Sequence, residues 1–282
     1  MNINTSKPHI NFGWSCETHR VIMDTALKDM PQFAKYKDKL EHFVQQPDHD
    51  DVGFLANKHF YFGEKDKPQE DIFFKISQEK DENSEKNIAE EKPTSKGLLG
   101  VFNKIMNKNA ASYMDYNGKN NAKAAYLEHL DKIDNAIEDE DTDFAIENAG
   151  RACHFLQDVS QPQHIEETST LGKAIDLKIH TDFEDFSEKH VNDFAKDFQP
   201  DITSKRHNIQ LFQDTFSQTK ETGKITRKNE PNWNEISQKQ FNIAVQATKE
   251  FLQNISVQMG LNNQNSAETS EEEISSFDET TV

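Results

Sequence analysis

The chain has 282 residues and a mass of 32.5 kDa, and its 50 acidic residues outnumber its 32 Lys and Arg, which gives a net charge of -18. That charge argues against a general nucleic-acid binder, because a polyanion would be repelled at long range. The 2 cysteines exclude a disulfide-rich scaffold, and no apolar run reaches the length of about 18 residues that a membrane span requires. Since only 34% of the residues are hydrophobic, we expect a packed core diluted by solvated segments.

The first predicted helix covers residues 18–29, with Thr18 as its cap. Its apolar residues recur at helical spacing and are expected to face the core: Val21, Ile22, Met23 and Ala26. The chain has only 10 Gly and 8 Pro, so turn signals are sparse and long helices are favoured throughout.

Longer helices are predicted further along the chain. Residues 120–157 are expected to form two helices separated by a turn around Glu138–Asp143, and residues 174–197 and 234–258 to form one helix each. One face of the helix over 174–197 has four apolar residues: Phe183, Phe186, Val191 and Phe194. Because no strand pattern or internal repeat interrupts this series, the predicted fold class is all-α.

Two segments differ in composition from the rest. Residues 64–108 are predicted to be a charged insertion, because most of this stretch is dense in charge. Residues 261–282 are predicted to be a disordered acidic tail, because they hold nothing that could bury a core. Within the insertion, residues 98–106 have an apolar stripe flanked by lysines. This stripe indicates either a membrane-surface helix or a short helix docked on the core. The remaining residues of 1–260 would then form one domain.

The most informative motif lies at residues 153–165. His154 and Asp158 are four residues apart and therefore share one face of a helix, and His164 follows shortly after a predicted break. His180 and Glu184 repeat the same spacing on the next predicted helix. Imidazole nitrogens and carboxylate oxygens are ligands that Zn²⁺ prefers, so the two pairs predict a metal site between facing helices.

Further candidate ligands lie upstream of this motif. Asp48 precedes His59, and Trp14 precedes His19 at the start of the first predicted helix. Of the 11 histidines, those outside this pattern are expected at the surface, with the role of His49 left open: His9, His42, His129, His190 and His207.

These motifs, in this order, resemble the bacterial zinc-dependent phospholipases C and, more loosely, the zinc-dependent single-strand nucleases. The resemblance covers roughly residues 14–63 and 109–258, and it implies an all-α catalytic domain with two to three zinc ions. It implies one zinc held by Asp48, His59, His154 and Asp158, a second by His164, His180 and Glu184, and a third by His19, a bridging Asp158 and the backbone of Trp14.

The resemblance also implies an activity: hydrolysis of the glycerol-side phosphodiester of a phospholipid, phosphatidylcholine-like, to diacylglycerol and a phosphorylated head group. Asp48 is the candidate for orienting the attacking water. Glu17 either faces a choline ammonium or is simply solvated. The expected partner is a phospholipid membrane surface, contacted transiently by a monomer, and no nucleic-acid partner is expected.

The N-terminus departs from the family, in which the tryptophan is the mature N-terminal residue and its amine binds zinc. Here thirteen residues precede Trp14, so either a protease exposes Trp14 or the third zinc lacks that amine. These residues do not form a secretory signal peptide. The glutamate run of the acidic C-terminus resembles a translocation signal, and the expected localisation is that of a secreted or translocated bacterial effector.

The two cysteines adjoin the candidate ligands in sequence. Cys16 and Cys153 are either small buried hydrophobes, thiols close to the metal, or partners in a disulfide.

Two other functions remain open. A zinc-dependent single-strand nuclease is favoured by the five-residue step from Trp14 to His19, but the nucleases usually have Asp in place of Glu184. A non-enzymatic helical protein with structural histidines is the third possibility.

Overall fold

The computed structural model describes residues 14–51, 58–63, 121–165, 173–198 and 206–261, and this part of the chain is helical without a strand. The α-helices are α1 (Cys16–Leu27), α2 (Lys37–Phe43), α3 (Gln46–Asp50), α4 (Ala122–Glu138), α5 (Thr142–Asp158), α6 (Pro162–Ile165), α7 (Lys173–Asp197), α8 (Asn208–Thr222) and α9 (Trp233–Gln258). Two 3₁₀ helices cover Pro31–Tyr36 and Arg227–Asn232. The predicted all-α fold class is confirmed.

Helix α1 begins two residues before the predicted start. Ser15, not Thr18, is its N-cap, because the Ser15 hydroxyl accepts a hydrogen bond from the Thr18 backbone N–H at 3.2 Å. Thr18 lies inside the first turn and is buried. The four apolar residues predicted to face the core are all buried: Val21, Ile22, Met23 and Ala26.

The turn predicted around Glu138–Asp143 separates α4 from α5. Glu140 adopts a positive φ of 58°, and the Asp141 side chain accepts from the Phe144 backbone N–H at 2.9 Å, which caps α5. The chain therefore reverses over three residues and places α4 and α5 side by side.

Helix α5 lies in the middle of the fold, packed against α2, α4 and α9. Gly150 allows the close approach of α2, since a Cβ there would lie 2.7 Å from Phe43 Cβ. Phe155 and Leu156 belong to the main hydrophobic core. Because α5 is buried along most of its length, any polar side chain that it carries inward is removed from water.

Helix α7 packs against α1 and α9 on the other side. Four apolar residues were predicted on one face of this helix. Phe183, Val191 and Phe194 are buried, and Phe186 is half-buried.

Histidines predicted at the surface divide into two classes. His42 and His207 are exposed and His190 is half-buried, whereas His129 is buried, with only 9% of its surface accessible. The surface prediction was therefore wrong for His129, because it lies on the α4 face that packs against α5, where its ring stacks on Phe155.

Several predictions fall on residues outside the described part: the charged insertion at 64–108, its amphipathic stripe at 98–106, residues 262–282 of the acidic tail, and His9. Leu261, the last described residue, is buried. Within the described part, no helix combines the length and apolar character needed to cross a membrane.

Candidate metal centre

The candidate ligands come from six segments that the fold brings to one buried position. The segments and their residues are α1 (His19), α3 (Asp48), the stretch 58–63 (His59), α5 (His154 and Asp158), α6 (His164) and α7 (His180 and Glu184). The stretch 58–63 is held in place by backbone hydrogen bonds, from Tyr61 N to His164 O at 2.8 Å and from Ala122 N to Phe60 O at 2.9 Å. Sequence-distant side chains therefore converge.

Asp158 is the hub of this cluster, and its side chain is inaccessible to solvent. The i,i+4 spacing on α5 places His154 Nε2 3.2 Å from Asp158 Oδ2, and His59 Nδ1 lies 2.9 Å from the same oxygen. The other carboxylate oxygen, Oδ1, faces His19 Nε2 at 3.5 Å and His164 Nδ1 at 3.6 Å. One carboxylate thus meets four imidazoles.

His164 links this hub to the pair on α7. Its Nε2 lies 4.0 Å from Glu184 Oε1, and His180 Nε2 lies 2.6 Å from the same oxygen. The amide of Gln161 also donates to Glu184 Oε1 at 3.4 Å. Glu184 and Asp158 therefore lie on opposite sides of one histidine rather than at opposite ends of the bundle.

Three groups of side chains have ligand atoms within 4.8 Å of one another. They are Asp48 with His59 and His154, His19 with His154 and Asp158, and His164 with His180 and Glu184. The last group has the predicted composition. His154 belongs to both of the first two groups. In the predicted ligand sets, His154 bound only the ion shared with Asp48 and His59, and the ion at His19 was bound by the backbone of Trp14 instead.

Hydrogen bonds to main-chain carbonyls fix the orientation of two of the imidazole rings. Nδ1 of His154 donates to the Val44 carbonyl and Nδ1 of His164 donates to the His59 carbonyl, both at 2.7 Å. In a neutral imidazole with Nδ1–H bound in this way, Nε2 has the lone pair that can bind a metal. Val44 contributes only a carbonyl, so no side-chain pattern could have indicated it.

The donor set fits a bound cation. The buried atoms His19 Nε2, Asp158 Oδ1 and His164 Nε2 make no hydrogen bond, and His180 Nε2, although 2.6 Å from Glu184 Oε1, is not aligned for one. Leaving a buried polar atom unpaired costs about 1–3 kcal/mol. Four such atoms lining one position are explained if they are ligands, and nitrogen with carboxylate oxygen is a donor set suited to Zn²⁺.

The electrostatics of the cluster keep Asp158 ionised. Burial raises the pKa of its carboxyl group, but the charges of His154 and His59, together with the hydrogen bond from His154, outweigh burial and hold that pKa well below its ordinary value. Burial also lowers the pKa of His164 far below its usual range. An ionised carboxylate beside neutral imidazole is the protonation state that metal binding requires.

His19 and His59 have a raised pKa, because Asp158 and Asp48 outweigh the opposing effect of burial. For His154, burial and the neighbouring His19 charge lower the pKa. The stacked rings of His19 and His154, whose centroids are 4.0 Å apart, place these two groups in direct competition for protons.

Asp48 lies at the edge of the cluster. Its Oδ1 is 3.7 Å from His154 Nε2 and 3.8 Å from His59 Nδ1, and its Oδ2 accepts from the Cys16 thiol at 3.4 Å. Burial, together with the Asp48 charge, raises the pKa of Cys16 to about 12, so the thiol stays protonated as a donor. Cys153 is buried in the core, and neither cysteine forms a disulfide.

The remaining predicted residues, Trp14 and Glu17, have partners of their own. The buried Trp14 indole N–H donates to the Gln157 carbonyl and the Ser160 hydroxyl, each at 3.1 Å. Glu17 forms a two-point ion pair with Arg20, at 2.7 and 2.8 Å, with 44% of the Glu17 side chain exposed. Arg20 was not part of the sequence prediction, although its i,i+3 spacing from Glu17 would have indicated the pair.

Sequence reasoning missed two further residues at the centre. Phe60 stacks on the His164 ring with centroids 4.7 Å apart, and Gln157 contacts His19 Nδ1 through its side-chain oxygen at 2.7 Å. Phe60 adjoins the predicted ligand His59, which is a usable indication. For Gln157 no spacing rule pointed to the contact, because it depends on how α1 crosses α5.

No family model and no curated protein matches the chain. Among solved structures, the alpha toxin from Clostridium absonum is similar, with a TM-score of 0.53 at 17% sequence identity. The match covers 89% of this chain and 66% of the toxin chain, so the chain spans about two thirds of the toxin's length. The chain therefore has the all-α fold found in that alpha toxin.

Proposed function

We propose that the protein is a zinc-dependent phospholipase C that hydrolyses the glycerol-side phosphodiester of a phospholipid. The observation that carries the proposal is the convergence of three His and carboxylate groups on one buried position. The order of the motifs along the chain resembles that of the zinc phospholipases C, and the fold is that of an alpha toxin.

The residues that would hold two to three zinc ions are those of the three groups, with Asp158 at their centre and the Trp14 backbone as an additional ligand. When bound, zinc neutralises charge on the phosphate oxygens and lowers the pKa of a coordinated water to about 7. His154 and His164 are held with Nε2 towards the centre, because the carbonyl groups of Val44 and His59 accept their Nδ1–H protons.

Asp48 is the proposed general base. Because its Oδ2 already accepts from the Cys16 thiol, its other oxygen is directed towards His154 and His59 and can orient a water beside the phosphorus. The water oxygen forms a bond to phosphorus as its proton passes to Asp48. The bond from phosphorus to the glycerol oxygen breaks, that oxygen takes up the proton from Asp48, and diacylglycerol and the phosphorylated head group are released.

The substrate would be reached at a phospholipid surface, with the protein acting as a monomer and Glu17 and Arg20 near the start of α1 influencing head-group choice. We also propose secretion or translocation from a bacterial cell, on the basis of the acidic C-terminus and the likeness to a toxin. A reporter fused to residues 260–282 tests delivery, and a fusion that never reaches a host cell contradicts it.

The activity test uses the purified full chain. We expect two to three zinc ions per chain by metal analysis and release of phosphorylated head group from phosphatidylcholine micelles. Asp158→Asn should abolish turnover and lower the zinc content, because Asp158 contacts four histidines. His42→Ala, at an exposed position, is the matched control and should do neither.

Two results would contradict the proposal. Fewer than one zinc per chain after mild purification would favour a structural role for the histidines. Cleavage of single-stranded DNA or RNA without any head-group release would assign the centre to a nuclease, the alternative with the same chemistry.

A further inference from the structure

Gln157 joins the candidate metal centre to three other parts of the fold. It lies on α5 directly before Asp158 and is inaccessible to solvent. Its side-chain oxygen lies 2.7 Å from His19 Nδ1, its amide N–H donates to the Thr248 hydroxyl at 3.1 Å, and its backbone carbonyl accepts from the Trp14 indole. A buried amide is stable only when it is hydrogen-bonded, so this set of contacts holds Gln157 in one orientation.

That orientation determines the tautomer of His19. With the amide N–H directed at Thr248, the amide oxygen faces His19 Nδ1, which must then be the protonated nitrogen. The lone pair of neutral His19 is therefore on Nε2. This nitrogen makes no hydrogen bond and faces Asp158 Oδ1, itself without a hydrogen bond, at 3.5 Å.

The same arrangement recurs at the neighbouring rings, but there the acceptor belongs to the main chain. Val44 O accepts from His154 Nδ1, and His59 O accepts from His164 Nδ1. A main-chain carbonyl can only accept, whereas an amide side chain can be replaced or turned. Of these three rings, only His19 has its tautomer set by a side chain that a point mutation can remove.

From this geometry we infer that Gln157 is a positioning residue that keeps His19 in the tautomer able to bind the metal. The inference rests on the proposed function and extends it to a residue that is not a ligand. Gln157 would control one of the three groups, that of His19, His154 and Asp158, and leave the group of His164, His180 and Glu184 unaffected. Losing a partner of this kind typically lowers metal affinity about 10–100-fold.

The test compares Gln157→Met, which removes the acceptor but keeps the length of the side chain, with wild type in the full-length protein. Zinc titration against a chromophoric chelator should show that one site, which can be the weakest site of wild type, loses zinc affinity about 10–100-fold in the variant. Another site should keep its wild-type affinity. In ¹⁵N spectra of the zinc-loaded protein, the His19 ring should show Nδ1–H in wild type and lose that signature in the variant.

Three further variants make the result specific. Gln157→Glu retains an oxygen acceptor and should restore zinc affinity towards wild type. Thr248→Val removes the group that holds the amide and should weaken the same site by a smaller factor, which also tests the inference if Gln157→Met does not fold. Gln240→Met makes the same change at another fully buried glutamine, whose amide donates to Thr222, and should leave zinc affinity unchanged.

The outcomes separate this inference from the proposed function. Wild type that binds no zinc overturns the proposed function. If wild type binds zinc but Gln157→Met gives the same titration and the same His19 spectrum as Gln240→Met, only the role of Gln157 is overturned. Failure of Gln157→Glu to restore binding, with the acceptor in place, also overturns it.

Discussion

His129 should make the free energy of unfolding depend on pH between about pH 7.5 and pH 5. The residue is buried on α4, donates from Nδ1 to the Asn148 side-chain oxygen at 2.9 Å, and stacks on Phe155. Burial lowers the pKa of His129 from 6.5 to about 4, although the bond to Asn148 opposes the shift. Folded protein therefore contains the neutral imidazole at pH values where the unfolded chain is already protonated.

The sign and size of the effect follow from proton linkage. As the pH falls from 6.5 towards 4, the unfolded state binds the additional proton first, so the free energy of unfolding decreases. With these two pKa values, His129 contributes a loss of about 2 kcal/mol between pH 7.5 and pH 5, and about 3 kcal/mol by pH 4. Above pH 7.5 the contribution is close to constant.

The perturbation is His129→Asn, because the asparagine amide nitrogen can take the place of Nδ1 as donor to Asn148 but does not titrate. Urea unfolding of metal-free wild type and variant at a series of pH values gives the difference in unfolding free energy. That difference should shift by about 2 kcal/mol in favour of the variant from pH 7.5 to pH 5. The cluster histidines are common to both proteins and cancel.

A difference that stays within about 0.5 kcal/mol over this range would refute the reasoning, since it would mean that His129 titrates equally in both states. An NMR titration of the His129 ring is the independent check. Its resonances should remain those of neutral imidazole down to pH 5, and protonation with a midpoint above pH 6 would contradict the burial that causes the effect.

Two further predictions concern packing and specificity. Gly150→Ala should lower the free energy of unfolding by about 1–3 kcal/mol in urea titrations, because the added Cβ would lie 2.7 Å from Phe43 Cβ and α2 would have to move. An unchanged urea midpoint would mean that α2 can move at no cost in stability. Glu17→Gln should leave the zinc content unchanged and alter unfolding by less than about 0.5 kcal/mol, because its ion pair with Arg20 is solvent-exposed. The same variant should change the preference among phospholipid head groups in a release assay, and loss of bound zinc instead would make Glu17 part of the metal centre.

The helices and the ligand pairs within one helix could be predicted because they depend on local spacing. His154 and Asp158 meet because both lie on one face of α5, whatever the rest of the chain does. The cap of α1 could not be assigned in this way, since Ser15 and Thr18 are both capping residues and only the bond from Thr18 N to Ser15 Oγ distinguishes them.

His129, which was wrongly predicted at the surface, shows that the helical spacing contained information that the prediction did not use. Tyr126, His129 and Ile133 recur at i, i+3 and i+7, the spacing of one helix face, and all three are buried. The identity of a histidine suggested a surface position, but the periodicity of its neighbours favoured the interior. In contrast, the sharing of His154 between two groups depends on where α3 and the stretch 58–63 cross α5, which no spacing within one segment specifies.

The charge of the centre explains how an acidic chain could act on a phosphodiester. The three candidate carboxylates, Asp48, Asp158 and Glu184, bring three negative charges, whereas two zinc ions would bring four positive charges and three ions six. The occupied centre would therefore be positive inside a chain of net charge -18. Since exposed charges are screened beyond about 10 Å at 0.1 M salt, a phosphate that reaches the centre would respond mainly to the centre's own charge. A long polyanion would also meet the acidic exterior, whereas a zwitterionic phospholipid surface would not be repelled, and this difference supports the proposal of a lipid over a nucleic acid.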